Sequence, residues 1–194
     1  VNAAPPVTRQ PAVPLPWKRH GSTTLLDTGS YLIHRDSVSL PDGTAGYFEF
    51  HQARVDAALT VAMDEQGRIA MVRYRSYVHG EVITPPGGKL DVGEDPLEGA
   101  RRELKEESGI TAEEWSPLGR IALMTKSTAH LYMYLARDLR VGEQELTATE
   151  TGMTVEWWPL QESVAAAMDG RLLLSGAVVS VLMAAQAVGA AGRV

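Results

Sequence analysis

The stretch Gly88 to Ile110, GKLDVGEDPLEGARRELKEESGI, constrains this chain more than any other, because its helix start, helix stop and charge spacing are all explicit. Asp95 suits an N-cap, Pro96 the first helical position and Gly109 the residue just past the end, so the spacing predicts a helix over Pro96 to Ser108. Leu97, Ala100 and Leu104 recur at helical intervals and mark its core-facing stripe. Glu103, Glu106 and Glu107 stand at i, i+3 and i+4, which gathers three carboxylates on one side of the cylinder.

Three like charges that close repel one another. A solvated acidic face is one reading of such a run. The other is a site for a hard, oxygen-seeking cation such as Mg²⁺, which removes the repulsion. Pro85-Pro86-Gly87-Gly88 just ahead supplies backbone groups able to approach a metal or phosphate closely. Loop, helix and carboxylates thus converge on one point.

The order Gly88, five residues, Glu94, seven residues, Arg102-Glu103-Leu104, one residue, Glu106-Glu107, one residue, Gly109-Ile110 matches the Nudix box at every fixed position. Chance alone would give such a match at a given start on the order of 10⁻⁸ of the time. The chain therefore resembles Nudix hydrolases, which cleave a nucleoside diphosphate linked to another group with the help of divalent metal. The resemblance implies an α+β fold, a Nudix α/β/α sandwich with a mixed sheet. It implies Glu103, Glu106 and Glu107 as metal ligands, with the Gly87 carbonyl near the same ion, and Mg²⁺ or Mn²⁺ as cofactor. Glu106, Glu107 and Arg102 become candidate catalytic residues, and Glu94 with Arg102 would hold loop on helix.

Ahead of the box, Val1 to Trp17 carries Pro5, Pro6, Pro11, Pro14 and Pro16 without apolar periodicity, and is expected to be an extended, flexible arm without the pattern of a signal peptide. Residues 18–54 should form an antiparallel β extension, with strands over Thr23 to Leu26, Tyr31 to Val38 and Tyr47 to Ala53. So small a β-layer buries little by itself and calls for a partner surface. The hydrolase domain would then occupy residues 55–194. Ala57 to Met63 and Arg68 to Tyr74, joined by Asp64-Glu65-Gln66-Gly67, read as a hairpin.

Arg73, Tyr74, Arg75 and Tyr77 alternate cation and ring at the end of that strand. They read either as a solvated edge or, with Lys89, as phosphate contacts from Arg73 and Arg75 and stacking from a tyrosine. Ile121 to Met124, Leu131 to Ala136 and Thr154 to Trp158 are further strands, and His130 between them reads as structural. Pro159 to Met168 and Ser175 to Val188 are expected helices. The apolar run Ser175 to Gly192 is interrupted by Ser180, Gln186 and glycines, and reads as a buried or subunit-facing helix rather than a membrane span.

Composition narrows the partners. A net charge of −6, from 18 basic and 24 acidic residues, attracts neither nucleic acid polymer nor anionic membrane. The absence of cysteine excludes disulfides, thiolate zinc sites and a cysteine nucleophile, and fits a cytoplasmic setting.

The β extension, Tyr74-Arg75 leading to Pro86-Gly87-Gly88, and Glu150 followed by Trp157-Trp158-Pro159-Leu160 make the chain similar to the ADP-ribose pyrophosphatase-like branch. That implies a homodimer, ADP-ribose cleaved to AMP and ribose 5-phosphate, and Glu150 as a late-loop ligand or base. Two departures touch substrate choice: Thr84 stands where the branch carries glutamate, and Met124 to Ala129 replaces a Pro-Gly pair and glutamate. A GDP- or UDP-sugar, a nucleoside triphosphate, or a sensing module without turnover are the alternative readings.

Overall fold

The computed structural model describes residues 16–191; most of the proline-rich segment lies outside them. The chain divides into two units, Val1–Gln52 and Ala53–Val194.

The first unit holds a three-stranded sheet in the order β1 (Lys18–Asp27), β2 (Tyr31–Ser39), β3 (Ala45–Ala53). Its turns sit where Asp27-Thr28-Gly29 and Pro41-Asp42-Gly43 place them: the amide of Gly29 donates to Asp27 Oδ1, and that of Thr44 to Asp42 Oδ1, both at 2.9 Å. Trp17 meets Phe48 edge to face at 5.5 Å. Every side chain of β1 is exposed, and Leu25, Leu26, Tyr31 and Tyr47 meet solvent.

The second unit is built on two sheets, one ordered β10 (Thr154–Pro159), β5 (Arg68–Ser76), β6 (Gly80–Thr84), the other β7 (Gly87–Lys89), β4 (Ala57–Ala62), β9 (His130–Val141), β8 (Ile110–Ala122). The second sheet is mixed, since β4 runs parallel to β9 while β4–β7 and β8–β9 are antiparallel. The expected hairpin between Ala57 and Tyr74 is corrected here. Asp64 closes the turn by accepting from the amides of Gln66 and Arg68, but β4 and β5 share only the bridge Met63 to Ile69 and then pair into different sheets. β4 and the Ile69 to Val72 part of β5 are apolar on both faces, and each strand pairs on either side without the other.

Alternation along these strands sets the layers. Leu59, Val61, Ile69, Met71, Leu131, Met133 and Leu135 point to one side, where α2 (Leu160–Asp169) and α3 (Ser175–Ala191) pack through Ala166, Ala177, Val181 and Ala184. Ala58, Ala62, Ala70 and Ala136 point to the other, where α1 (Pro96–Ser108) packs through Ala100 and Leu104. Helix, sheet, helix is the expected α/β/α sandwich. Small side chains on the α1 side let that helix approach closely, and Thr60 Oγ1 reaches the Ala100 carbonyl at 3.4 Å.

The expected helix α1 matches in both bounds. Asp95 Oδ1 accepts from the amides of Leu97 (2.9 Å) and Glu98 (3.3 Å), and Gly109 ends the helix at φ 69°. Strand β8 extends far ahead of the predicted Ile121 to Met124, because the stretch before Ile121, with Glu113, Glu114, Pro117 and Gly119, is made a strand by pairing with β9. Helix α3 buries Ala177, Ser180, Val181 and Ala184. No helix among the described residues is long and apolar enough to cross a membrane.

Candidate active site

The box folds onto itself through Arg102. Its Nε and Nη2 donate to the two carboxylate oxygens of Glu94, each at 3.0 Å. Nη1 donates to Glu103 Oε1 (2.8 Å) and Glu106 Oε2 (3.0 Å), and Nη2 also reaches the Lys89 carbonyl at 3.0 Å. One planar guanidinium thus ties the loop, β7 and two glutamates of α1 together. Those bonds, the pair to Glu94 foremost, hold Arg102 firmly charged and Glu94 below the usual carboxylate range. The loop-on-helix role is what this geometry shows for both.

Glu107 is reached from β7: the Gly87 amide donates to its Oε2 at 2.7 Å. Gly88 faces Glu103 so closely that a Cβ there would lie 2.6 Å from Glu103 Oε2. At Gly87, φ is 157° and a Cβ would lie 2.3 Å from the Ala58 carbonyl oxygen, so only glycine fits. The glycine pair is therefore what lets the sheet edge touch the carboxylates.

Burial separates the three glutamates. Glu103 and Glu107 are only 8% and 7% exposed, whereas Glu106 is half-buried. A fully solvated acidic face is not what forms: α1 turns Glu107 against β7, where the Gly87 amide meets it. Desolvation, reinforced by neighbouring carboxylates, pushes Glu107 up to about 8 against the lowering effect of the Gly87 amide. Desolvation likewise raises Glu103. Glu150 ends a 3₁₀ turn, Ala148–Glu150, where its Oε2 accepts from the amide and hydroxyl of Thr147, both at 2.8 Å. Its charge contributes, after desolvation, to raising both Glu103 and Glu107, so it lies within electrostatic range of them although more than forty residues away in sequence.

Among the described residues, no three acidic, histidine or cysteine side chains are already set around a single ion position. The reason is visible: hydrogen bonds to Arg102 and Gly87 engage one oxygen each of Glu103, Glu106 and Glu107. The donor set nevertheless fits a divalent cation. It is all oxygen, it is crowded with like charge, and two of its carboxylates are buried where only a proton or a cation relieves them.

Other expected site residues lie elsewhere. Arg73 and Arg75 alternate with Tyr74, and it is Tyr74 that stands on the α1 side, its hydroxyl raised by burial and then by the charge of Glu107. The two arginines project from the opposite face of the sheet. Arg73 is paired there with Glu156 (2.5 Å) and Glu81 (2.6 Å), so within this chain neither arginine is brought to the glutamates. Lys89 offers its carbonyl to Arg102 while its side chain is exposed. His130 is held by Asp56, whose Oδ1 accepts the His130 amide at 2.8 Å. Missed from sequence was Gln144, whose side-chain amide donates to the Glu107 carbonyl at 2.5 Å; an isolated glutamine in a polar loop carries no signal.

With this geometry in hand, comparison with known proteins gives the class. The NUDIX domain family matches residues 53–173. The chain belongs to the Nudix family, and it is a pyrophosphohydrolase by that membership. It is 36% identical over 168 residues to an ADP-ribose pyrophosphatase of Mycobacterium tuberculosis, covering 83% of this chain and 80% of that one. It is 33% identical over 177 residues to a CMP-5'-(N-acetyl-N-hydroxy-3-aminopropyl)phosphonate hydrolase of Streptomyces rubellomurinus, covering 86% and 81%. A crystal structure of an ADP compounds hydrolase superposes with a TM-score of 0.81 at 18% identity over 92% of this chain and 97% of the other, a likeness of fold.

Proposed function

We propose that this chain hydrolyses ADP-ribose to AMP and ribose 5-phosphate with Mg²⁺ or Mn²⁺. The observation that carries this reading is the gathering of Glu103, Glu106 and Glu107 around Arg102 and the Gly87-Gly88 pair, with the late-loop Glu150 in electrostatic range of Glu103 and Glu107, in a chain 36% identical to an ADP-ribose pyrophosphatase over most of its length.

In this reading Glu103, Glu106, Glu107 and the Gly87 backbone would hold the metal. The bound ion supplies charge neutralisation for pyrophosphate oxygens and a lowered pKa for an attacking water. Glu150 orients that water and takes its proton, its own carboxylate being steadied by Thr147. Arg102 acts through the carboxylates it holds. The Gly87 amide fixes one oxygen of Glu107, and the other is the one that would be offered to the ion. The chain acts as a homodimer in the cytoplasm: the β1 to β3 sheet exposes Leu25, Leu26, Tyr31 and Tyr47, an apolar set suited to a subunit interface.

A second reading keeps the fold and changes the nucleotide. It draws on the likeness to the CMP-phosphonate hydrolase and on Thr84 and the segment Met124 to Ala129, where the sequence departs from the ADP-ribose branch. The test is product formation from ADP-ribose, GDP- and UDP-sugars, CMP esters and nucleoside triphosphates, with Mg²⁺, with Mn²⁺ and with chelator. AMP released from ADP-ribose well above all other products supports the first reading. Preference for a CMP ester or another compound supports the second.

A further inference from the structure

We infer that Gln144 is a positioning residue, pinning the loop that carries Glu150 to the C-terminal turn of α1 so that Glu150 is presented to the glutamates of that helix. The inference rests on the reading of Glu150 as the group that handles the attacking water.

The last turn of a helix leaves carbonyls without partners inside the helix. Here the loop after β9 supplies them. Gln144 Nε2 donates to the Glu107 carbonyl at 2.5 Å; a carbonyl can only accept, so the contact must be the amide nitrogen. The amide of Glu145 donates to the Glu106 carbonyl at 2.9 Å, and that of Gly142 to the Gly109 carbonyl at 2.8 Å. Lys105 and Glu145 add an ion pair at 2.8 Å. Two of the three gripped carbonyls thus belong to Glu106 and Glu107, whose side chains are among those that would ligate the metal. The grip is unequal in kind. The backbone bonds survive any side-chain change, and the Lys105–Glu145 pair is about half exposed and contributes little. Gln144 makes the one partly buried side-chain bond of the set. Six residues later the same loop delivers Glu150, and the Thr147 to Glu150 capping box keeps the intervening turn compact. Loss of Gln144 frees that lever while Gly109 and Glu145 still cap α1 through their amides.

The experiment is a double-mutant cycle between Gln144→Ala and Glu150→Gln, with kcat, KM and the half-saturating Mn²⁺ concentration measured on the compound the substrate panel selects. Gln144→Ala is expected to lower kcat about ten- to a hundredfold, as for a misplaced catalytic group. KM and Mn²⁺ half-saturation should stay within about twofold, and adding it to Glu150→Gln should cause no further loss. Gln144→Glu keeps the shape without the donor and should fall with Gln144→Ala. Glu145→Gln, which keeps the backbone bond, should stay within about twofold of the parent. Melting temperatures show which variants fold, and Gln144→Glu stands in if Gln144→Ala does not. Losses that multiply in the double mutant, or unchanged kcat in a folded Gln144 variant, overturn the inference. Unchanged kcat in Glu150→Gln overturns the reading of Glu150 itself and the inference with it.

Discussion

Removing Arg102 would strip Glu94, Glu103 and Glu106 of the partner they share. Arg102→Ala is therefore expected to destabilise the protein by about 2 to 3 kcal/mol in urea unfolding, the loss of charged hydrogen bonds discounted for a side chain that is over a quarter exposed. Arg102→Lys should recover little of it, because an ammonium cannot span the two Glu94 oxygens and Nη1's two glutamates at once. Glu107→Gln should behave in the opposite way. It replaces a buried carboxyl whose charged form burial already disfavours, without changing shape, so the chelated protein should melt no lower than the parent while kcat falls at least about a hundredfold. A Glu107→Gln variant that unfolds in chelator but turns over normally with metal would contradict that assignment.

At the scale of the elements, the contact of β7 with β4 and α1 depends on two residues having no side chain. Gly87→Ala must push against the Ala58 backbone, which cannot yield as a flexible side chain would, so strand pairing and stability both suffer. Gly88→Ala meets the Glu103 carboxylate first, the end of a flexible side chain. It is expected to keep most of the stability and lose metal affinity, a split that melting curves and Mn²⁺ titration would show. The sheet and loop pairs also set the acid limb. Arg102 lowers Glu94 and Arg73 lowers Glu156, each chiefly through its hydrogen bonds, from an ordinary value of 4.5. Both carboxylates therefore contribute stability that is present above that value and lost as pH falls through the lower folded values. Melting temperature should drop on that side, and Glu94→Gln or Glu156→Gln should flatten the drop.

For the whole molecule, the β1 to β3 sheet has Val38 and Asp36 as its buried side chains among the described residues, too little to stabilise three strands alone. The proposed dimer would supply the missing surface. Sedimentation is expected to give twice the mass of one chain, and Leu26→Asp with Tyr47→Asp to shift the population toward monomer. A monomeric parent at assay concentration would refute the dimer.

Local chemistry was legible in the sequence: the caps of α1, the glycine pair, the spacing of three glutamates and the tie between Glu94 and Arg102 are set within 23 residues, and the structure keeps each of them. What required the tertiary structure was decided between distant segments. Strand alternation places Tyr74, not Arg73 or Arg75, on the α1 side, and Glu156 from β10 claims Arg73. Packing, not helix spacing, buries Glu107 and leaves Glu106 half-exposed. Pairing choice, set by neighbours on both sides, divides β4 from β5 and draws out β8. The spacing of residues along a helix is fixed by its 3.6-residue turn and can be read from sequence. Which atoms a side chain meets depends on strands and loops that arrive from elsewhere in the chain, and no local pattern encodes their arrival.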